Sequence, residues 1–146
     1  TVNLEAFRKT GSLFQIADSM TLLSAVHFRL GEPVTSWERM AEGLRFFTAN
    51  DNASGLARGL AMAAILQIRD GDPEFGARVA GAVYELIREK GVMLAPVKVL
   101  HLPDPGDLAQ GHFGPERAAE LMASGAAIPV SQVIAEVLAA PAPTGA

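Results

Sequence analysis

The chain of 146 residues lacks cysteine and has few charged residues. Without thiols it has no disulfide frame, no thiolate nucleophile and no cysteine-based zinc site, which fits a cytoplasmic protein. Charged residues make up 19% of the chain, a low share that suggests that part of the surface meets a partner. The net charge is −4 and the 12 basic residues are scattered singly. We therefore expect no direct nucleic-acid binding, because neutralising phosphates requires clustered Lys and Arg.

Long hydrophobic runs and targeting signals are also missing. The longest apolar run is too short to span a bilayer, so the sequence predicts no membrane segment. The N-terminus has no initiating Met, no basic region and no signal-like apolar core. A heptad-like pattern is already under way at Leu4, which suggests a fragment of a longer protein.

Hydrophobic residues make up 49% of the chain, and their densest stretch is residues 56–68, where only two residues are polar. A helix that is apolar on nearly every side must be covered on nearly every side. Gly71 then predicts a left-handed helix end. Asp72 and Pro73 predict an immediate new helix, with Asp72 as its cap and Pro73 in its first turn. One face of this second helix carries apolar side chains at helical spacing: Phe75, Val79, Val83 and Leu86.

Three helical segments are predicted upstream. The first covers residues 2–9 and is broken at Thr10 and Gly11. The second covers residues 12–30 and has two apolar stripes, so we expect neighbouring helices on two of its sides. The third runs to about residue 48 and starts with a capping box of Thr35 and Glu38. The two stripes of the second segment are Leu13, Ile16, Ala17, Met20 and Leu23, and Leu22, Val26 and Leu30.

Downstream, the pattern predicts a short helix over residues 105–112 and another from residue 115 to about 124, where Gly125 ends it. A last helix begins at Pro129 or Ser131. The apolar stretch between Val92 and Pro103 is interpreted as an irregular connector, since a lone strand has no pairing partner. The sequence thus predicts one all-α domain over residues 1–140, followed by a flexible tail over residues 141–146. Its antiparallel helical hairpins would form a tetratricopeptide-like array or a bundle.

A sequence similarity within the chain supports the array. The stretch from Arg29 to Pro33 resembles the stretch from Arg69 to Pro73 after a shift of forty residues. Helix pairs that recur at such a period are typical of helical repeats. The alternative is that any two helical hairpins use glycine, an acidic residue and proline in the turn.

Several short steps between Leu56 and Ala139 resemble the C-terminal tetratricopeptide-like region of bacterial LuxR-type and related ATPase transcriptional regulators. This region is also found with class III adenylate cyclases. The resemblance implies a sensor or scaffold module whose nucleotide-binding and DNA-binding parts lie elsewhere, and the connector after Val92 departs from it. The steps are Arg69-Asp70-Gly71-Asp72-Pro73, Ala80-Gly81-Ala82, Gly91, Phe113-Gly114-Pro115-Glu116, and Met122-Ala123-Ser124-Gly125-Ala126-Ala127-Ile128-Pro129.

No motif for chemistry stands out. His101 with Asp104, or His112 with Glu116, could be imagined as metal ligands, but neither pair has a known ligand spacing, and His27 stands alone. We therefore expect no metal.

The carboxylates Asp104, Asp107 and Glu116 could serve acid–base chemistry, but Asp104 is better interpreted as the cap of the helix at Pro105. The sequence has no Gly-x-Ser-x-Gly elbow and no phosphate-cradling glycine pattern, so we expect no catalytic residue and no cofactor. Four glycines fall inside predicted helices, where close packing would compensate their cost: Gly55, Gly59, Gly76 and Gly81.

The sequence favours a non-catalytic regulatory or protein-interaction module, the C-terminal part of a bacterial transcriptional or signalling regulator. Its partner would be another protein, the chain's own upstream domains, or a second copy in a homodimer. One alternative is a small-molecule sensor with an apolar pocket between the helical hairpins and the connector after Val92, and a cavity lined by Trp37, Phe47 and Met62 would support it. Another is a fragment of an enzyme whose catalytic residues lie outside this chain. The possible interaction surface comprises Leu4, Phe7, Phe14 and Phe46.

Overall fold

The computed structural model describes residues 2–92 and 102–145, with side chains described from residue 11 onward apart from residue 14. Over these ranges all regular secondary structure is helical, which confirms the predicted all-α class. Most of the connector between Val92 and Pro103 lies outside the described residues. The helices are α1 (Val2–Arg29), α2 (Pro33–Ala49), α3 (Ala53–Asp70), α4 (Pro73–Lys90), α5 (Pro105–Phe113), α6 (Pro115–Ala126) and α7 (Val130–Ala139).

Helix α3 lies at the centre of the molecule. From Gly55 to Ile68 every side chain except that of Arg58 is buried. The helix contacts α1, α2, α4, α5 and α7, so it is covered on nearly all sides as its composition predicts. On α4, Val79, Val83 and Leu86 are buried against this core.

The turn between α3 and α4 follows the prediction at one residue and departs from it at another. The Asp72 carboxylate caps α4 by accepting a hydrogen bond from the Phe75 N–H at 3.2 Å, and Pro73 is the first helical residue. Gly71 has a φ of −138°, so the predicted left-handed end is wrong. Instead, the Gln67 amide oxygen accepts from the Asp72 N–H at 2.9 Å. A Cβ at Gly71 would lie 2.3 Å from that oxygen, so a larger residue here would displace the Gln67 side chain from the turn.

Helix α1 is continuous, so the predicted break at Thr10 and Gly11 is wrong. One glycine inside a helix costs about 1 kcal/mol relative to alanine, which is too little to end a long helix.

The predicted capping box of α2 is also wrong. The helix begins at Pro33, two residues before Thr35. Its N-cap residue is Glu32, whose side chain makes no capping hydrogen bond. Proline occupies the first turn, where a missing N–H has no cost, and this places Thr35 inside the helix.

Two buried serines join α1 to α2. The Ser24 hydroxyl donates to the Ser36 carbonyl oxygen at 2.7 Å, and the Ser36 hydroxyl donates to the Ser24 carbonyl oxygen at 2.6 Å. Both residues are 0% exposed. Bonds from side chain to backbone in both directions require the two helix backbones to lie close together, and they fix the register of α1 on α2.

Two glycines join α4 to α6. A Cβ at Gly81 would lie 1.8 Å from the Met122 carbonyl oxygen, and a Cβ at Gly125 would lie 1.8 Å from the Arg78 carbonyl oxygen. The backbones of the two helices are therefore in direct contact, as predicted for a helical glycine such as Gly81. The prediction that Gly125 ends α6 is wrong, because the helix continues to Ala126 and Gly125 is buried inside it.

The start of α5 is fixed to α4. Asp104 caps α5 as predicted, accepting from the Gly106 N–H at 2.8 Å and the Asp107 N–H at 3.2 Å. The Tyr84 hydroxyl on α4 donates to the same carboxylate and accepts from the Gly106 N–H at 3.0 Å.

The C-terminal segment returns to the α3–α4 turn. The sequence suggests a flexible tail over residues 141–146, but Pro143 is buried and the Gly145 N–H donates to the Asp70 carbonyl oxygen at 3.0 Å. Helix α7, whose first residue is Val130, adds buried residues to the main core: Val133, Ile134 and Val137.

The two turns that share the glycine–acid–proline pattern differ in geometry. Gly31 is left-handed with a φ of 75°, and the Glu32 N–H reaches back to the His27 carbonyl oxygen at 2.9 Å, as in a Schellman motif. Gly71 is not left-handed, and there a glutamine side chain accepts from the N–H of the acidic residue. The two turns are therefore similar in sequence but differ in backbone conformation.

Candidate functional site

The surface of α1 carries an unusual concentration of exposed apolar side chains. In the part of the chain whose side chains are described, every exposed large hydrophobic residue lies between Leu13 and Val34. A contiguous exposed apolar surface on a protein marks an interaction site. We call this set the α1 face: Leu13 (41% exposed), Ile16 (53%), Leu22 (48%), Leu23 (39%), Val26 (43%), Leu30 (63%) and Val34 (42%).

Small residues on the opposite side of α1 position this face. Ala17, Ser24 and Ala25 are buried and allow α1 to approach α2 closely. Phe28 is a large buried side chain on this inner side, and the Arg69 guanidinium lies over its ring at 4.4 Å from the centroid. Helix α1 contacts both α2 and α3, as predicted for a helix with neighbours on two sides. The contacting residues were predicted wrongly, because small residues are covered and most of both predicted stripes is exposed.

Charged groups lie beside the α1 face. Asp18 forms an ion pair with Arg58 of α3, with 2.8 Å between oxygen and nitrogen. At the end of the helix, His27 Nδ1 lies 3.4 Å from the Glu32 carboxylate. This nitrogen is buried, and it is the only buried side-chain nitrogen or oxygen of the described residues without a hydrogen-bond partner.

Of the four residues predicted to form an interaction surface, only Phe46 has a described side chain. Leu4, Phe7 and Phe14 belong to α1, but their side chains lie outside the described residues. Phe46 is partly buried against the main core. Its ring meets that of Phe47 edge to face, with 5.8 Å between centroids. Most of the α1 face was not predicted as a surface, because an apolar stripe has the same sequence pattern whether the chain covers it or not.

A cleft of about 440 Å³ lies where the α3–α4 turn, α5 and the C-terminal segment meet. It brings the predicted candidates Asp107 and His112 together with Arg69 and Asp70. The third candidate carboxylate, Glu116, is on the next helix, α6. Oppositely charged groups share this cleft, so it has no uniform electrostatic preference.

The residues proposed to line an apolar pocket are mostly core. Phe47 and Met62 are 0% and 3% exposed within the main cluster. Trp37 borders a surface groove of about 350 Å³ that also includes Glu38, Glu42 and Arg45.

Candidate ligands and buried polar groups are sparse in the described ranges. Among the residues whose side chains are described, no group of three His, Asp or Glu side chains is placed to hold a metal ion, and His101 lies outside this set. The buried polar residues there, Ser24, Ser36 and Gln67, all make the hydrogen bonds already described that join helices or close a turn.

Comparison of the chain with protein families, curated proteins and solved structures found no significant match. Among the described helices, none alone has the length and apolarity needed to cross a membrane. Helices α6 and α7 meet that test only as a pair, and they are bent by 105° relative to each other.

Proposed function

We propose that this chain is a non-catalytic protein-interaction module that recognises a helix of its partner through the α1 face. The observation that carries the proposal is the concentration of every exposed large hydrophobic side chain of the described chain within residues 13–34. Such a surface is costly in water, and covering it with another apolar helix would remove that cost.

The three buried polar residues of the described chain serve the fold, and this use supports a non-catalytic role; the partly buried His27 is the exception, since its Nδ1 has no hydrogen-bond partner. A nucleophile or a general base needs a polar group held ready for substrate. Here the buried hydroxyls of Ser24 and Ser36 donate to backbone carbonyl oxygens, and the Gln67 oxygen closes a turn.

The resemblance to tetratricopeptide-like regions supports a place in a bacterial transcriptional or signalling regulator, in the cytoplasm. Two of the resembling steps, Ala80-Gly81-Ala82 and the one that contains Gly125, contribute the two glycines of the α4–α6 contact. Stacked helix pairs of this kind present extended surfaces to other proteins.

The small-molecule sensor remains the alternative proposal, and the groove beside Trp37 is its best location. It has less support than the interaction module, because Phe47 and Met62 are packed into the core.

Site-specific photo-crosslinking in the producing cell tests the interaction module. A benzophenone amino acid replaces Leu23 on the α1 face in one variant and the exposed Gln110 of α5 in the control. We expect defined protein adducts from position 23 and none of the same mass from position 110. Identical adduct patterns from both positions, or no adduct at position 23, would contradict the proposal.

A further inference from the structure

The α1 face contains a row of side chains with regular spacing. Along residues 13–30 the row advances alternately by three and four positions, which is the a and d spacing of a heptad repeat. This spacing fits a second helix that packs nearly parallel or antiparallel to the first. We call the row the α1 seam: Leu13, Ile16, Met20, Leu23, His27 and Leu30.

Four of the six seam residues are exposed, and Met20 and His27 between them are partly buried. Leu13, Ile16, Leu23 and Leu30 are between 39% and 63% exposed. At a rise of 1.5 Å per residue the seam is roughly 26 Å long. Val26, also exposed, lies beside the seam at a g position, and Leu22 adjoins Val26 on the side away from the seam.

The charge distribution favours one kind of partner. Between residues 11 and 30 the only Asp, Glu, Lys or Arg residues are Asp18 and Arg29, and neither falls on an a or d position or on the e and g positions beside the seam. Asp18 pairs with Arg58 of α3. A charge-free seam can meet an identical seam without like-charge repulsion, whereas a helix that uses e and g charges for recognition would find no complement.

We propose that a second copy of this chain docks on the α1 seam with its own α1 seam, forming an antiparallel helix pair about a two-fold axis. The proposal rests on the proposed function, since it names the partner of the same surface. A two-fold pair uses one patch on both copies, so the chain itself supplies all the apolar cover.

The position of His27 determines the direction of the pair. In a parallel pair the two His27 rings would face each other, and the Glu32 carboxylates that lie 3.4 Å from them would approach as well. In an antiparallel pair His27 of one copy lies opposite Ile16 of the other. Met20 then lies opposite Leu23 near the axis, and Leu13 opposite Leu30, so apolar contacts fill the remaining layers.

Light scattering coupled to size exclusion tests the pairing on the purified chain. The protomer has a mass of 15.3 kDa, and we expect twice that mass at high micromolar concentration. Ile16→Glu combined with Leu23→Glu should give a monomer with unchanged circular dichroism. The control, Gln15→Glu combined with Gln110→Glu, adds the same charge at exposed polar positions and should leave the dimer intact.

A strict monomer at every concentration would overturn the self-docking proposal. Adducts with other proteins at position 23 would still support the interaction module, so the two failures are distinguishable. A dimer that survives Ile16→Glu with Leu23→Glu would place the contact elsewhere and would also overturn the proposal.

Cysteine crosslinking tests the direction, because the chain has no cysteine of its own. A mixture of the Leu13→Cys and Leu30→Cys variants should form a disulfide between different variants under mild oxidation. Each variant alone should stay uncrosslinked. The reverse result, with each variant crosslinking to itself, would overturn the antiparallel arrangement.

Discussion

At the scale of single residues, the Ser24 and Ser36 pair shows how closely α1 and α2 approach. Each hydroxyl is fully buried and donates to the backbone of the other helix. We expect Ser24→Ala to cost about 1 kcal/mol of unfolding free energy through one lost hydrogen bond. Ser24→Val should cost ~1–3 kcal/mol, since extra methyl groups must enter a tightly packed contact.

Urea denaturation measures both serine variants. Ser19→Ala is the control, because the Ser19 hydroxyl is exposed and bonds only within its own helix. If Ser24→Val were as stable as the parent protein, the contact between α1 and α2 would be looser than described.

Tyr84 is the second informative residue, and it is the only tyrosine of the chain. Burial, together with the hydrogen bond to Asp104, raises the pKa of Tyr84 well above its ordinary value of 10.0. The folded protein therefore holds the phenol proton to a higher pH than the unfolded chain does. The resulting stability is complete below pH 10 and is lost as the pH rises above the unfolded pKa.

The rise in absorbance at 295 nm with pH reports the formation of tyrosinate. Tyr84 is the only tyrosine of the chain, so it alone contributes to this rise. We expect the folded chain to show no tyrosinate at pH 10, and the chain in concentrated urea to titrate near pH 10. Ionisation of the folded chain at the same pH as the unfolded one would show that the hydroxyl is not held against Asp104.

At the scale of helices, the α4–α6 contact depends on two glycines. Gly81→Ala and Gly125→Ala each place a methyl group on a backbone carbonyl of the other helix. We expect each to lower the unfolding free energy by about 1–3 kcal/mol or more through overpacking, despite the better helix propensity of alanine.

Gly111 of α5 provides the control for these variants. A Cβ there would meet nothing within 4 Å, so Gly111→Ala should raise stability by up to about 1 kcal/mol through helix propensity alone. Chemical denaturation distinguishes the two classes of site. Equal effects at Gly81 and Gly111 would contradict the direct backbone contact.

The central position of α3 gives a further expectation at this scale. Leu60 is 0% exposed, and Leu60→Ala should cost ~2–5 kcal/mol through lost burial and the cavity left behind. Leu30→Ala removes the same atoms from a side chain that is 63% exposed, so its cost to the folding of one chain should be small. A loss below about 1 kcal/mol at Leu60 would mean that α3 is not central.

At the scale of the whole molecule, stability should fall outward from α3. Amide hydrogens of α3 are surrounded by five other helices, whereas α7 is the short last helix of the fold. We expect α3 amides to exchange only through global unfolding and α7 amides through local opening with a lower free energy. Native-state hydrogen exchange in rising denaturant measures both, and α7 protection equal to that of α3 would contradict this order.

The central position of α3 and the starts of α4 and α5 were predictable from the sequence. For α3 the amino-acid composition is sufficient, because a helix with almost no polar residues must be covered on all sides. Residues 56–68 have so few polar positions that burial on all sides is the only stable solution. Asp72 and Asp104 each precede a proline, and this local chemistry marks a helix start wherever it occurs.

The role of Gly125 in the contact between α4 and α6 and the exposed face of α1 were not predictable, because the same residue types occur in two structural roles. Gly125 has the same sequence signature whether it ends a helix or admits a neighbouring backbone, and only the position of Arg78 distinguishes the two. Similarly, the apolar side chains of α1 do not reveal whether the chain covers them. The serines and alanines that direct α1 toward α2 look unremarkable until α2 is placed.

The mutual contact of Gly81 and Gly125 has a consequence for natural variation of this protein. Because each position faces the backbone of the other helix, a larger residue at either one is opposed by atoms that no side-chain substitution can remove. Compensation would require one helix to move away from the other and to lose the apolar contacts between them. In naturally occurring variants these two positions should therefore stay glycine together, while Gly11 and Gly111 are free to drift.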